Sequence, residues 1–133
     1  MLTEKEQLLS DFIEGAKGTP AKWGESDCTM WAAQWVELST GIKVPTSFYN
    51  SRTQAYELIK ARGSLLSIWD EALASVGIFQ TESPELGDVA VCKTGKYGDV
   101  GLVFAHGGIA YWRAESGVLA LAPRKIIKAW KVI

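Results

Sequence analysis

The stretch Trp23-Gly24-Glu25-Ser26-Asp27-Cys28-Thr29-Met30-Trp31-Ala32-Ala33-Gln34-Trp35-Val36 reads as a turn that runs into a helix with a cysteine at its mouth. Gly24 and Ser26 supply turn chemistry, and Ser26 or Asp27 is placed to cap the helix by accepting a free backbone N–H. Cys28 then falls in the first turn, where the positive end of the helix dipole favours thiolate over thiol. The same residues carry a second reading. Cys28, Trp31, Ala32, Trp35 and Val36 follow the spacing of one apolar helix face, on which Cys28 is the first core residue. Free cysteine is among the most buried residue types. Partner residues elsewhere in the chain have to decide between nucleophile and core.

On the N-terminal side, Thr3 and Glu6 form a capping box, and Leu8, Leu9, Phe12, Ile13 and Ala16 make the apolar stripe of a helix over about residues 3–16. Gly15, Gly18 and Pro20 end it. On the C-terminal side, the Cys28 helix stops at Ser39-Thr40-Gly41, with a glycine where a left-handed cap is wanted. A loop through Pro45 leads to a helix from about Thr53 to Arg62, closed by Gly63. Ser64 caps another, carrying Leu65, Leu66, Ile68, Trp69, Ala72, Leu73 and Val76 and closed by Gly77.

Past Pro84 the period changes to two and glycines multiply, which signals strands joined by tight turns. Gly87-Asp88 starts the strand Val89–Cys92, Gly95 to Gly98 makes a turn, and Asp99–Ala105 follows. His106-Gly107-Gly108 turns the chain, Ile109–Arg113 returns, Gly117 leads into Val118–Leu121, and Ala129–Ile133 closes. The expected architecture is a single α+β domain over 1–133, with N-terminal helices packed on a C-terminal antiparallel meander.

The composition, 47% hydrophobic against 22% charged with six tryptophans, belongs to a folded protein. A net charge of -1 and the lack of a basic stripe argue against nucleic-acid binding. The charged opening Met1-Leu2-Thr3-Glu4-Lys5-Glu6 does not resemble a secretory signal, so synthesis and folding in a cytoplasm are expected. The apolar runs are too short for a membrane span, and two distant cysteines read as free thiols. A metal held by Cys28, Cys92 and His106 would lack close ligand pairs and a fourth ligand, so neither metal nor cofactor is expected. Cys92 reads as core.

A cysteine at a helix mouth packed on an antiparallel sheet is the layout of papain-like cysteine hydrolases. Asp27-Cys28, then Gly87-Asp88-Val89-Ala90-Val91, then Asp99-Val100-Gly101-Leu102-Val103-Phe104-Ala105-His106-Gly107-Gly108-Ile109-Ala110, resemble in order and spacing the NlpC-type cell-wall peptidases, over roughly residues 20–115. The Trp23-Gly24 to Asp27-Cys28 opening, the Thr40-Gly41 helix end and the closing Ala129-Trp130-Lys131-Val132 look most like a small branch found in tailed bacteriophages and prophages, encoded among tail-tip genes. The resemblance implies Cys28 at the nucleophile position, Asp99 at the position of the general-base histidine, and Tyr111 near the third, orienting position.

Aspartate, with an ordinary pKa of about 4, is a poor acceptor for a thiol proton and a poor donor to a leaving amine. Beside Cys28 it would also disfavour the thiolate. His106, the chain's one histidine, reads as an exposed turn residue far from the start of its strand. Trp31, Trp35, Trp69 and Trp130 read as core, whereas Trp23 and Trp112 could form an exposed pair that anchors an interface. The expected function is a structural, non-catalytic component of a phage tail tip, bound to hub and distal-tail proteins and located in the virion. The alternative is an active cysteine peptidase or amidase that uses Cys28 to cut peptidoglycan peptides during DNA entry.

Overall fold

Each helix begins where a side chain takes up a backbone N–H that the helix itself leaves free. Thr3 Oγ1 accepts from Glu6 N at 3.1 Å to start α1 (Glu4–Ala16), and Asp27 Oδ1 accepts from Thr29 N and Met30 N at 3.1 and 3.3 Å to start α2 (Cys28–Thr40). Ser51 and Ser64 do the same for α3 (Arg52–Arg62) and α4 (Leu65–Ser75). At the far end of α2, Gly41 takes the left-handed conformation (φ 76°) and donates its N–H to Glu37 O at 2.8 Å. Gly15, expected among the terminators of α1, lies inside it. The computed structural model describes residues 3–23, 26–45, 51–95 and 98–132. Gly24 of the expected first turn, the loop just beyond Pro45, the middle of the turn between Gly95 and Gly98, and Ile133 lie outside them.

Among the described residues the second half forms six strands: β1 (Gln80–Thr81), β2 (Val89–Thr94), β3 (Gly98–Phe104), β4 (Ala110–Ala114), β5 (Gly117–Leu121) and β6 (Ile126–Trp130). They make one antiparallel sheet in the order β1-β6-β2-β3-β4-β5. The protein is therefore α+β, with four helices before six antiparallel strands. The expected meander is correct only from β2 to β5. β6 returns across the sheet to pair with β2, Val89 opposite Trp130 and Ala90 opposite Ala129. The physical reason lies in β2, where Val89, Ala90, Val91 and Cys92 are all buried. A run buried on both faces belongs at the centre of a sheet, with a strand on either edge.

The helices cover one face. Val89, Val91, Val103 and Trp130 point into a core with Leu9, Ile13, Trp31, Trp35, Trp69 and Leu73. Phe12 stacks on Trp31 at 4.9 Å, and Trp69 meets Trp130 at 5.7 Å. Ala90, Cys92, Val100, Leu102, Phe104 and Ala110 form a second cluster on the opposite face, as the alternation of strands requires. Each buried tryptophan removes about 150–250 Å² from water, on the order of 4–6 kcal/mol before entropy is counted. Trp35 also donates its Nε1–H to Gly87 O at 2.7 Å. Next to it, the buried Asp88 carboxylate accepts from Glu85 N at 2.8 Å and Val132 N at 3.0 Å. The Gly87-Asp88 pair thereby ties α2, the entry to β2 and the end of the chain together.

Candidate functional site

Cys28 is the first residue of α2, and it faces the sheet at Gly101 in β3. Close approach there needs a glycine. A Cβ on Gly101 would fall 2.6 Å from Trp69 Cη2 and closer still to Cζ2. Trp69 leans over that point from α4 and donates its Nε1–H to Thr29 Oγ1 at 3.2 Å. The thiol is thus enclosed by its own helix, the Gly101 backbone and the tryptophan's end of the core.

That enclosure sets its acidity. Burial pushes the Cys28 pKa above the ordinary thiol value, and the Asp27 carboxylate pushes it the same way. The Gly101 N–H pulls it down by more than Asp27 raises it, and the Thr29 hydroxyl and N–H pull it down less, but burial, the largest effect, keeps the net shift upward. The helix N-terminus would by itself favour thiolate, but here the capping residue is an anion that takes up Thr29 N and Met30 N. The cap that starts the helix also offsets the dipole that would activate the cysteine.

The three residues matched to the peptidase positions are not gathered at one point. Asp99 shares the helix-side face of β3 with Gly101 but lies two residues, about 7 Å, along the strand. It is exposed, and the groups acting on the Cys28 thiol are Asp27, Thr29 and Gly101. Tyr111 pairs with Val103 and packs against the helix-side core, beside Lys17. His106 stands at the other end of β3, its side chain 70% exposed, with Nε2 3.1 Å from Glu6 Oε2. Cys92 is buried on the opposite face of the sheet, so Cys28, Cys92 and His106 are held apart. Among the described residues no cluster of three His, Cys, Asp or Glu side chains could hold a metal ion.

A cleft of about 910 Å³ opens beside Cys28, within the size range of small-molecule sites. Asp27 and Cys28 line it from α2, Tyr56 from α3, Ile68 and Trp69 from α4, Asp99 from β3, and Trp112 and Arg113 from β4. The segment after α1 closes one side, where Ala21 N donates to Glu115 O at 2.9 Å and brings Trp23 to the cleft. Trp23 and Trp112 are accordingly not an exposed pair: both are half-buried and both line the cleft.

Arg113 escaped the sequence reading, which took it as the end of a strand. It is 4% exposed, and its Nε and Nη1 are buried with no hydrogen-bond partner. The available signal was a cation at an inward position of the alternating run Ala110-Tyr111-Trp112-Arg113-Ala114.

Fold and site together define an α+β protein with a half-buried cysteine at a helix mouth and a ligand-sized cleft next to it. Residues 1–132 match the family described as Domain of unknown function (DUF6950), and the chain belongs to that family. No curated protein matches the sequence. Among the described residues no helix is long and apolar enough to cross a membrane.

Proposed function

We propose that this protein is a non-catalytic relative of the NlpC-type cell-wall cysteine peptidases and serves as a structural component of a bacteriophage tail tip, in contact with hub and distal-tail proteins. The kinship is supported by the ordered motifs from Asp27-Cys28 to Ile109-Ala110 and by a helix-borne cysteine packed on an antiparallel sheet. The observation that carries the non-catalytic reading is the surroundings of Cys28. A thiol raised by burial and by its own capping carboxylate, with no imidazole at hand, has no base among the described residues placed to receive its proton. The tail-tip role rests on the resemblance to the phage branch.

A second reading, cleavage of peptidoglycan peptides by Cys28, is favoured by the cleft of about 910 Å³ beside the thiol. Alkylation by iodoacetamide across pH separates the two. The non-catalytic reading expects an apparent thiol pKa above about 8.5, whereas a value near or below about 7 favours the enzyme. In a phage, Cys28→Ala should cost about 1 kcal/mol of domain stability and leave tails and plaques normal. Normal tails that fail to infect, with muropeptides cut by the wild type and not by the variant, would establish the peptidase instead.

A further inference from the structure

Three arginines line the cleft, and two have partners. Arg62 pairs with Glu71 at 3.2 Å, and the Arg52 guanidinium lies 5.4 Å from the centre of the Tyr56 ring. Arg113 is the exception. A guanidinium keeps its proton at any working pH, so a residue 4% exposed with Nε and Nη1 unpaired is a buried cation. Burial alone moves its pKa, downward, with no contribution from a neighbouring carboxylate. An apolar residue of similar size would avoid that desolvation cost. Unpaired donors of this kind call for an explanation, and a cavity at the same place supplies one.

We infer that the cleft binds a monocarboxylate with an apolar body, its carboxylate seated on the Arg113 guanidinium. The charge comes from Arg113, the arginine without a partner among the described residues that line the cleft. Arg–carboxylate pairing is strong and directional, and a small shift of the side chain toward the cleft would let it take up donors the protein leaves open. The limit of a single negative charge follows from Asp99 and Glu115, which also line the cleft and would repel a phosphate dianion or a polyacid. The apolar body follows from walls contributed by Trp23, Ile59, Ile68 and Trp69. The carboxylate could belong to a free small acid or to the C-terminus of a polypeptide, since both present the same group. Neither depends on Cys28 reacting, so the inference stands apart from the tail-tip reading and from the peptidase alternative.

Phenylacetate and its neutral isostere phenylacetamide are suitable probes, with sodium chloride at matched ionic strength. Millimolar phenylacetate should raise the melting temperature of the wild type, shift the Arg113 Nε–H resonance and slow alkylation of Cys28, whereas phenylacetamide should do none of these. Arg113→Met should fold and bind phenylacetate about tenfold or more weakly, with Arg113→Lys between the two. A short peptide with an apolar C-terminal residue, compared free and amidated, identifies the source. Tighter binding of the free-acid peptide than of phenylacetate points to a polypeptide, and the reverse points to a small acid. Equal responses to phenylacetate and phenylacetamide, an unmoved Arg113 resonance in the wild type, or unchanged binding by Arg113→Met would each overturn the inference. The resonance is read on the wild type, so misfolding of a variant does not shield it.

Discussion

Replacing Gly101 with alanine should loosen the whole helix–sheet contact around Cys28. The added methyl meets the Trp69 ring 2.6 Å from Cη2 and nearer still to Cζ2, so the indole has to move. Moving it breaks the 3.2 Å bond from Nε1 to Thr29 Oγ1 and disturbs the packing on Trp130 at 5.7 Å. Forcing a methyl into a filled core costs about 1–3 kcal/mol, and the lost hydrogen bond about 0.5–1.5 kcal/mol. Alanine's stiffer unfolded chain returns about 0.4–1 kcal/mol. The net loss is about 2 kcal/mol, a large share of a typical domain stability of about 5–15 kcal/mol.

Urea unfolding followed by tryptophan fluorescence reads this directly, as a midpoint lowered by about 1 M with little change in slope. A double-mutant cycle with Trp69→Phe isolates the cause, because phenylalanine lacks the ring atoms that the methyl meets. The pair should cost at least about 1 kcal/mol less than the sum of the singles. A Gly101→Ala loss under about 0.5 kcal/mol, or strict additivity in the cycle, would refute the close-approach argument.

Asp88→Asn should cost about 2–3 kcal/mol in the same assay, since the amide keeps one acceptor but turns its NH2 toward the Glu85 or Val132 N–H; a loss under about 0.5 kcal/mol would show that those bonds matter little. Burial holds both thiols above their ordinary value, so above about pH 8.5 the unfolded chain sheds protons that the folded chain keeps. Stability should therefore fall as pH rises from there toward the folded pKa values, and Cys28→Ala should reduce that slope. An identical or steeper slope in the variant would contradict the raised Cys28 pKa.

Local features of the fold were legible because residues a few positions apart decide them. Thr3 with Glu6, Asp27 with Thr29 and Met30, Ser64 with Ser67, and Gly41 with Glu37 are caps settled within one turn of helix. The place of β6 was not legible, because it depends on Val89 meeting Trp130 across most of the strand half. An alternating strand signal says that a strand exists and which face is buried, not which neighbour it takes. β1 has two residues, too few to show any period.

The site divides in the same way. Cys28 at the mouth of α2 followed from its cap, but the position across from it is a property of the ladder. There Tyr111 falls level with Val103, and the buried Arg113 lies two residues further along the same strand. That cation changes the electrostatics of the cleft. A nucleophilic cysteine needs positive potential at the sulfur. The nearest charge acting on this sulfur is the Asp27 carboxylate, which opposes ionisation, and the Arg113 cation is not among the groups that move the thiol. Arg113 lines the cavity, and its buried Nε and Nη1 have no partner in the protein. A buried cation that does not serve the thiol and lines a cleft is arranged for a ligand's anion rather than for Cys28 chemistry.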